Sequence, residues 1–202
     1  MKRVSLILAL TLMGAAPAMA TEEPKFALVS KQGEFEIRDY EPTVTAEVDV
    51  QGGPEKARRA GFTPLADYIF AKDRNGGKIA MTAPVTQVPR QTIAMTAPVT
   101  QSRTTSGWKV AFTMPAGYAL DKLPAPANSA VTLHQQPARR MAVLRFSGAA
   151  SSSEMEKKRQ QLMERVTAEQ LHPLGVPIFA FYDPPWTLPF LRRNEVMVEV
   201  SR

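Results

Sequence analysis

Polar and apolar positions alternate without a fault from Thr43 to Val50, with Val44, Ala46, Val48 and Val50 on one face and Thr43, Thr45, Glu47 and Asp49 on the other. A period of two marks a half-buried strand. The stretch Glu34 to Tyr40 alternates in the same way, and Pro42 separates the two because proline cannot donate to a ladder. A third clean alternation puts Trp108, Val110, Phe112 and Met114 on one side. Between these strands the period changes. From Glu55 to Ala71 the residues Ala57, Ala60, Gly61, Leu65, Tyr68 and Ile69 recur at three and four, which predicts an amphipathic helix after the Gly52-Gly53-Pro54 break. Pro64 lies inside it and either kinks the helix or opens a fresh turn capped by Thr63. The glycine-rich turn from Asp73 to Gly77 closes the unit.

The segment Ile79 to Gln87 recurs as Ile93 to Gln101. It is too short for a solenoid repeat. Two extended strands facing each other across residues 88–91 are expected, with Pro84 and Pro98 confining them to edge or bulge positions. Residues 115–129, rich in Pro, Ala, Asp and Asn, predict a surface crossover. Beyond it come strands at 131–135 and 140–146, with Val131 and Leu133 inward. A helix of about eighteen residues follows, with Ser153 and Glu156 as a capping box, and strands at 177–182 and 195–200 flank the turn Pro184-Pro185-Trp186. Strand, strand, helix, strand, strand therefore occurs twice. Intermingled strands with two widely separated helices predict an α+β fold built on an antiparallel sheet, curled into a barrel or saddle with a helix on each side.

The first twenty residues stand apart. Lys2 and Arg3 precede an apolar run from Val4 to Ala16, and Ala18-Met19-Ala20 has the small-x-small form of a cleavage site. This pattern predicts a signal peptide cut after Ala20, and a periplasmic or secreted product. At about 13 residues the apolar run is shorter than the ~20 needed to span a bilayer, so no stable membrane insertion is expected. Residues 21–202 suit a single domain. The chain has no cysteine, which removes disulfides, thiol catalysis and covalent c-type heme attachment. Without Lys2 and Arg3 the formal charge of +6 falls to +4. That mild, interspersed excess lacks the basic stripe with exposed aromatics that nucleic acid requires, so no nucleic-acid partner is expected.

Chemistry-bearing motifs are sparse. His134 shares the outward face of its strand with Thr132, and His172 follows the second helix, where an imidazolium gains from the helix dipole. Neither has a partner at metal-ligand spacing, so no metal site is expected. There is no nucleophile elbow, P-loop or dinucleotide fingerprint. Glu34, Glu36 and Glu47 are expected to face solvent from their strands. No residue stands out as catalytic and no enzyme is expected. A hydrolase would need a carboxylate such as Glu34, Glu36 or Glu195 buried with a raised pKa. Met81, Met95 and Met114 recur on consecutive strands, and thioethers can pack on a porphyrin or ligate iron. On the first helix Arg58 and Arg59 precede Phe62 and Leu65, an apolar patch edged by guanidinium groups, suited to a flat amphiphile bearing carboxylates.

Several motifs together resemble the SOUL heme-binding family. They are Phe35-Glu-Ile-Arg-Asp-Tyr40, the helix Ala60 to Ile69, Lys78-Ile-Ala-Met-Thr-Ala-Pro-Val85, Phe112-Thr-Met-Pro115, Leu123-Pro-Ala-Pro126, Phe146-Ser-Gly148, Tyr182-Asp-Pro-Pro-Trp186 and Arg192-Arg-Asn-Glu-Val196, in the family's order along the mature chain. The resemblance implies a distorted antiparallel β-barrel flanked by two helices, built from two pseudo-repeated βαββ halves. It also implies non-covalent binding of b-type heme or another porphyrin against the first helix, for buffering, storage or handover without catalysis. The heme-binding candidates carried over are Arg58, Arg59, Phe62, Leu65 and Ala66. Some relatives have a histidine, proposed as axial ligand, where this chain has Asp39, so that route to iron ligation is closed and the axial ligand is unknown. The rival expectation is an interaction or structural module on the same fold that binds no heme, its protein partner unknown.

Overall fold

The computed structural model describes residues 22–70, 72 and 93–201. Residues 1–20, expected to be a signal peptide, and the first copy of the repeated segment, with Met81, lie outside them. The elements in chain order are β1 (Phe26–Gln32), β2 (Phe35–Tyr40), β3 (Thr43–Val50), α1 (Pro54–Ile69), β4 (Val99–Arg103), β5 (Trp108–Thr113), β6 (Thr132–Gln136), β7 (Arg139–Phe146), α2 (Ser152–Ala168), β8 (Ile178–Phe181) and β9 (Asn194–Glu199). Among the described residues nine strands join one antiparallel sheet in the order β1-β2-β7-β9-β8-β4-β5-β3-β6.

The α+β class and the two βαββ halves hold, but the expected barrel does not. Closure requires the terminal strands to pair, and here β1 and β6 remain the two edges of an open sheet. β1, which no clean alternation announced, lies exposed along its whole length on the outer side of β2. The halves exchange their leading strands. The unit β3-α1-β4-β5 is extended by β6, and β7-α2-β8-β9 by β2, so a pseudo-twofold axis runs between β8 and β4.

Each half buries its helix on one sheet face. α1 turns Gly61, Leu65, Tyr68 and Ile69 toward Val44, Ala46, Val48, Val110 and Phe112, while Ala57 joins the cluster around Trp108. Burial of each large side chain contributes roughly 1.5–3 kcal/mol. Gly61 permits the approach, since a Cβ there would stand 2.6 Å from the Cβ of Val110. Pro64 does not restart the helix, which continues from Pro54 to Ile69. The carbonyl it leaves without a donor belongs to Ala60, an exposed residue where water can satisfy it. α2 buries Met155, Leu162 and Val166 among Phe35, Ile37, Ala142, Val196 and Val198. Its cap lies two residues before the expected box. Ser151 accepts from the Glu154 amide, while the Glu154 carboxylate accepts from the amide of Ala150.

A further correction concerns the repeat. Its second copy is a strand only from Val99 on, and β4 pairs with β5 and β8 at the centre of the sheet rather than at an edge. Pro98, preceded by a cis peptide bond, lies just ahead of the strand, so its missing donor costs the ladder nothing.

Candidate functional site

The helix-free face of the sheet folds on itself. Tyr40, Met141, Tyr182 and Met197 from one half, and Thr43, Thr100 and Thr113 from the other, line one cleft of about 40 Å³. Glu36 and Glu47 therefore do not face solvent as expected. The alternation is real, but helices cover one sheet face, and on the other the side chains of the same and adjoining strands close over the carboxylates, Lys31 and Arg38 over Glu36 and Lys109 and Gln136 over Glu47, leaving only Glu34 exposed. Glu195 has no exposed surface and accepts from Arg38 Nη1 at 2.9 Å and Nη2 at 3.0 Å, from the Tyr182 hydroxyl at 2.7 Å and from Arg193 Nη2 at 2.9 Å. Arg38 Nε also donates to Glu36 at 2.7 Å. Burial alone raises a carboxyl pKa, yet hydrogen bonds and charge from Arg38, with Tyr182 and Arg193, hold Glu195 below the carboxylate range. Glu36 is held low against the same burial by Lys31 and Arg38, and Glu47 by Lys109 and Thr45. These are ionised, satisfied groups, the reverse of the raised-pKa acid that hydrolysis would use.

The surface beside α1 has a different character. Arg58 packs its guanidinium over the Phe181 ring, 4.2 Å from the centroid. Among the described residues no carboxylate comes within ion-pair distance of it. Burial, together with the like charges of Arg59 and Arg192 and only partly offset by Glu55, lowers its pKa. A cation so placed is stabilised by any anion that arrives. Phe62, 40% exposed, stands edge-on to Phe112 with ring centroids 5.3 Å apart. Arg59 is exposed and Ala66 half-buried, whereas Leu65 is sealed against the sheet with no surface to offer a ligand.

Arg192 brings a second element to this place, the β8–β9 connection over 182–193. Trp186, Leu188, Phe190 and Leu191 are between 55% and 83% exposed on it. The loop is nevertheless well fixed. Arg192 donates to the carbonyls of Thr187 at 2.7 Å and Pro185 at 2.6 Å, the Arg193 amide donates to Asp183, and the amide of Gly148 donates to the carbonyl of Pro189. In the sequence Pro184-Pro185-Trp186 marks a turn and part of a family motif, with nothing that assigns it to the ligand surface. The available signal was the run of large apolar residues between prolines without strand alternation.

The remaining candidates are scattered. Asp39 forms a two-pronged pair with Arg140 at 2.8 Å on β2 and β7. His134 is exposed on the edge strand β6, 3.1 Å from the Thr132 hydroxyl, and His172 is exposed beyond α2. Met114 is core and Met95 exposed, so they do not converge. Among the described residues there is no cluster of three or more metal-ligating side chains and no helix long and apolar enough to cross a membrane.

A family model described as SOUL heme-binding protein matches residues 21–199. The chain belongs to this family. No curated protein matches this SOUL-family chain. Among solved structures it is similar to a hydrolase from Listeria innocua (TM-score 0.53, 12% identity, covering 86% of this chain and 94% of that one). It is also similar to the EcmrR C-terminal domain (0.60, 11%, 83% and 97%) and to an uncharacterized conserved protein from Listeria innocua (0.52, 14%, 83% and 92%). At such identities these likenesses show the fold alone. Membership of the SOUL family suggests a heme or tetrapyrrole ligand.

Proposed function

We propose that the protein is a reversible, non-catalytic carrier of heme or a related porphyrin, held without covalent attachment on the surface formed by α1 and the β8–β9 loop, and that it works in the periplasm after export. The observation that carries this reading is Arg58, a partly buried cation on an aromatic ring, flanked by Arg59 and Arg192 and bordered by exposed apolar side chains. The residues fit a tetrapyrrole. Phe62 and the loop offer apolar surface to a flat macrocycle, and Arg58 and Arg59 offer guanidinium groups to its propionates. Arg58 orients the acidic edge because stacking on Phe181 fixes its plane. No imidazole lies in this set, so affinity rests on apolar contact and charge pairing, and metal-free porphyrin is expected to bind as well. The absence of catalysis is supported by Glu36, Glu47 and Glu195, which are engaged in ion pairs and held ionised.

Hemin titration followed at the Soret band tests this. Saturable stoichiometric binding is expected, weakened about tenfold by Arg58→Glu or Arg59→Glu through loss of a charge-assisted pair, and weakened also by Phe62→Asp. Replacing His134 and His172 together by alanine leaves the spectrum unchanged. A flat titration overturns the proposal in favour of a protein-interaction module. A spectrum that collapses in the double-histidine variant overturns the imidazole-free site.

A further inference from the structure

We propose that the β8–β9 loop seats the protein on an anionic phospholipid surface, with Trp186, Leu188, Phe190 and Leu191 entering the boundary between headgroups and acyl chains. The proposal uses the same region of the molecule as the tetrapyrrole reading but does not depend on it.

Three observations carry it. The first is protrusion. Trp186 is 83% exposed and Phe190 70%, so each side chain touches little of its own protein. Phe62, at 40%, is partly covered by its neighbours, whereas the loop side chains are free on more than one side, so beyond the edge they offer a ligand they retain apolar surface for a medium that surrounds them. The second is rigidity. Arg192 binds two carbonyls of the loop and Gly148 binds a third, so the apolar tip is held out and does not collapse onto the surface. Ordering entropy on insertion is thereby largely avoided. The third is charge. The loop carries Arg192, bound to the carbonyls of Thr187 and Pro185, and its charge acts on Arg58 together with that of Arg59, with Glu55 as the partial offset. Apolar side chains including a tryptophan, rimmed by arginine, match the lipid interface, where indole settles at headgroup depth and guanidinium meets phosphate. A tetrapyrrole partitioned in lipid would then meet α1 without crossing water.

The test needs no hemin, so its failure is separate from failure of the tetrapyrrole reading. Flotation is run with phosphatidylcholine vesicles with and without phosphatidylglycerol, following Trp fluorescence in parallel. Trp108 is only 7% exposed, so an environmental change reports on Trp186. Binding to the mixed vesicles is expected, about tenfold weaker on phosphatidylcholine alone and weakened by salt. The emission should shift to shorter wavelength, and the shift should vanish in Trp186→Phe. Trp186→Ser with Phe190→Ser should lower partitioning at least about tenfold, with circular dichroism confirming the parent fold. Residues 4–16 are themselves apolar, so parent and variant are compared in the same processed form. Equal partitioning of parent and variant overturns the proposal. So does equal binding to both lipid mixtures, or an unshifted Trp186 emission in the parent, a measurement that depends on no variant.

Discussion

Replacing Arg38 by methionine removes the buried cation that joins Glu36 and Glu195 on the helix-free face. Arg38 and Glu195 are about 1% and 0% exposed, and two hydrogen bonds of 2.9 and 3.0 Å join them. In the variant, Glu195 retains Tyr182 and Arg193, and Glu36 retains Lys31 at 2.9 Å, but Glu195 loses the group that does most to hold it ionised against burial, and Glu36 loses one of the two cations that lower its pKa. Breaking a buried pair from one side costs about 3–5 kcal/mol, because the remaining charge stays desolvated. Domains are stable by about 5–15 kcal/mol, so the loss is a large share of the total. At about 2–4 °C per kcal/mol for a chain of this size, Tm falls roughly 6–20 °C. The assay is urea unfolding at pH 7 of the parent, Arg38→Met, Glu195→Met and the double variant. Removing both partners leaves neither charge of this pair uncompensated, although Tyr182 and Arg193 lose an acceptor in either variant that lacks Glu195, so the double variant should lose less than the sum of the singles. Additive losses, or a loss below about 1 kcal/mol for Arg38→Met, would refute the claim that the pair acts as a coupled unit.

The same carboxylates set an acid limit. Glu36, Glu47 and Glu195 are depressed below 4.5, so the stability they contribute is present above about that pH and is lost as pH falls through the depressed values. Urea midpoints should hold flat from pH 7 to about 5 and then fall steeply, and a flat profile to pH 3 would contradict the assignment. Gly61→Ala drives a methyl into Val110 and should cost about 1–3 kcal/mol in a thermal melt.

The sequence carried most of the scaffold because the scaffold depends on local rules. Thr43–Val50 is a strand at the very bounds its alternation marks, and α1 and α2 agree within about two residues. What failed depended on long-range facts. The outward polar face of β2 and β3 became interior because ion-paired side chains of the same and adjoining strands close over it, and alternation tells which residues share a face without telling what covers that face. β1 was missed because every one of its side chains is exposed, so neither face needs an apolar set. At the candidate site Arg59 and Phe62 are exposed on α1 and Arg58 is half-buried, whereas Leu65, carried over as a ligand contact, points inward, as the apolar stripe of the helix that contains it already implied. The loop that completes the surface lies more than a hundred residues away in the chain.

The pseudo-twofold axis explains why only one side of the molecule should bind. Arg58 and Glu156 are each the fifth residue of their helices, and each faces the hairpin of the opposite half, Arg58 feeling Arg192 and Glu156 feeling Arg103. At α2 the arrangement is closed. Glu156 accepts from Arg159 at 2.6 Å and from Gln160 at 3.2 Å, and the β4–β5 connection is a four-residue turn over 104–107. At α1 the helix presents a cation without an ion-pair partner among the described residues, and the hairpin is extended by the apolar loop. Two equivalent positions on one architecture thus differ in loop length and in the sign of one charge. If that difference creates the site, replacing residues 184–191 with the turn copied from 104–107 should lower hemin affinity at least about tenfold through loss of apolar contact. The register of β8 with β9 should survive, because shortening an exposed loop lowers its closure cost. Hemin titration beside a thermal melt checks this. A folded graft that keeps its hemin affinity would move the ligand off this surface, toward the cleft between the halves, and would leave the asymmetry without a function.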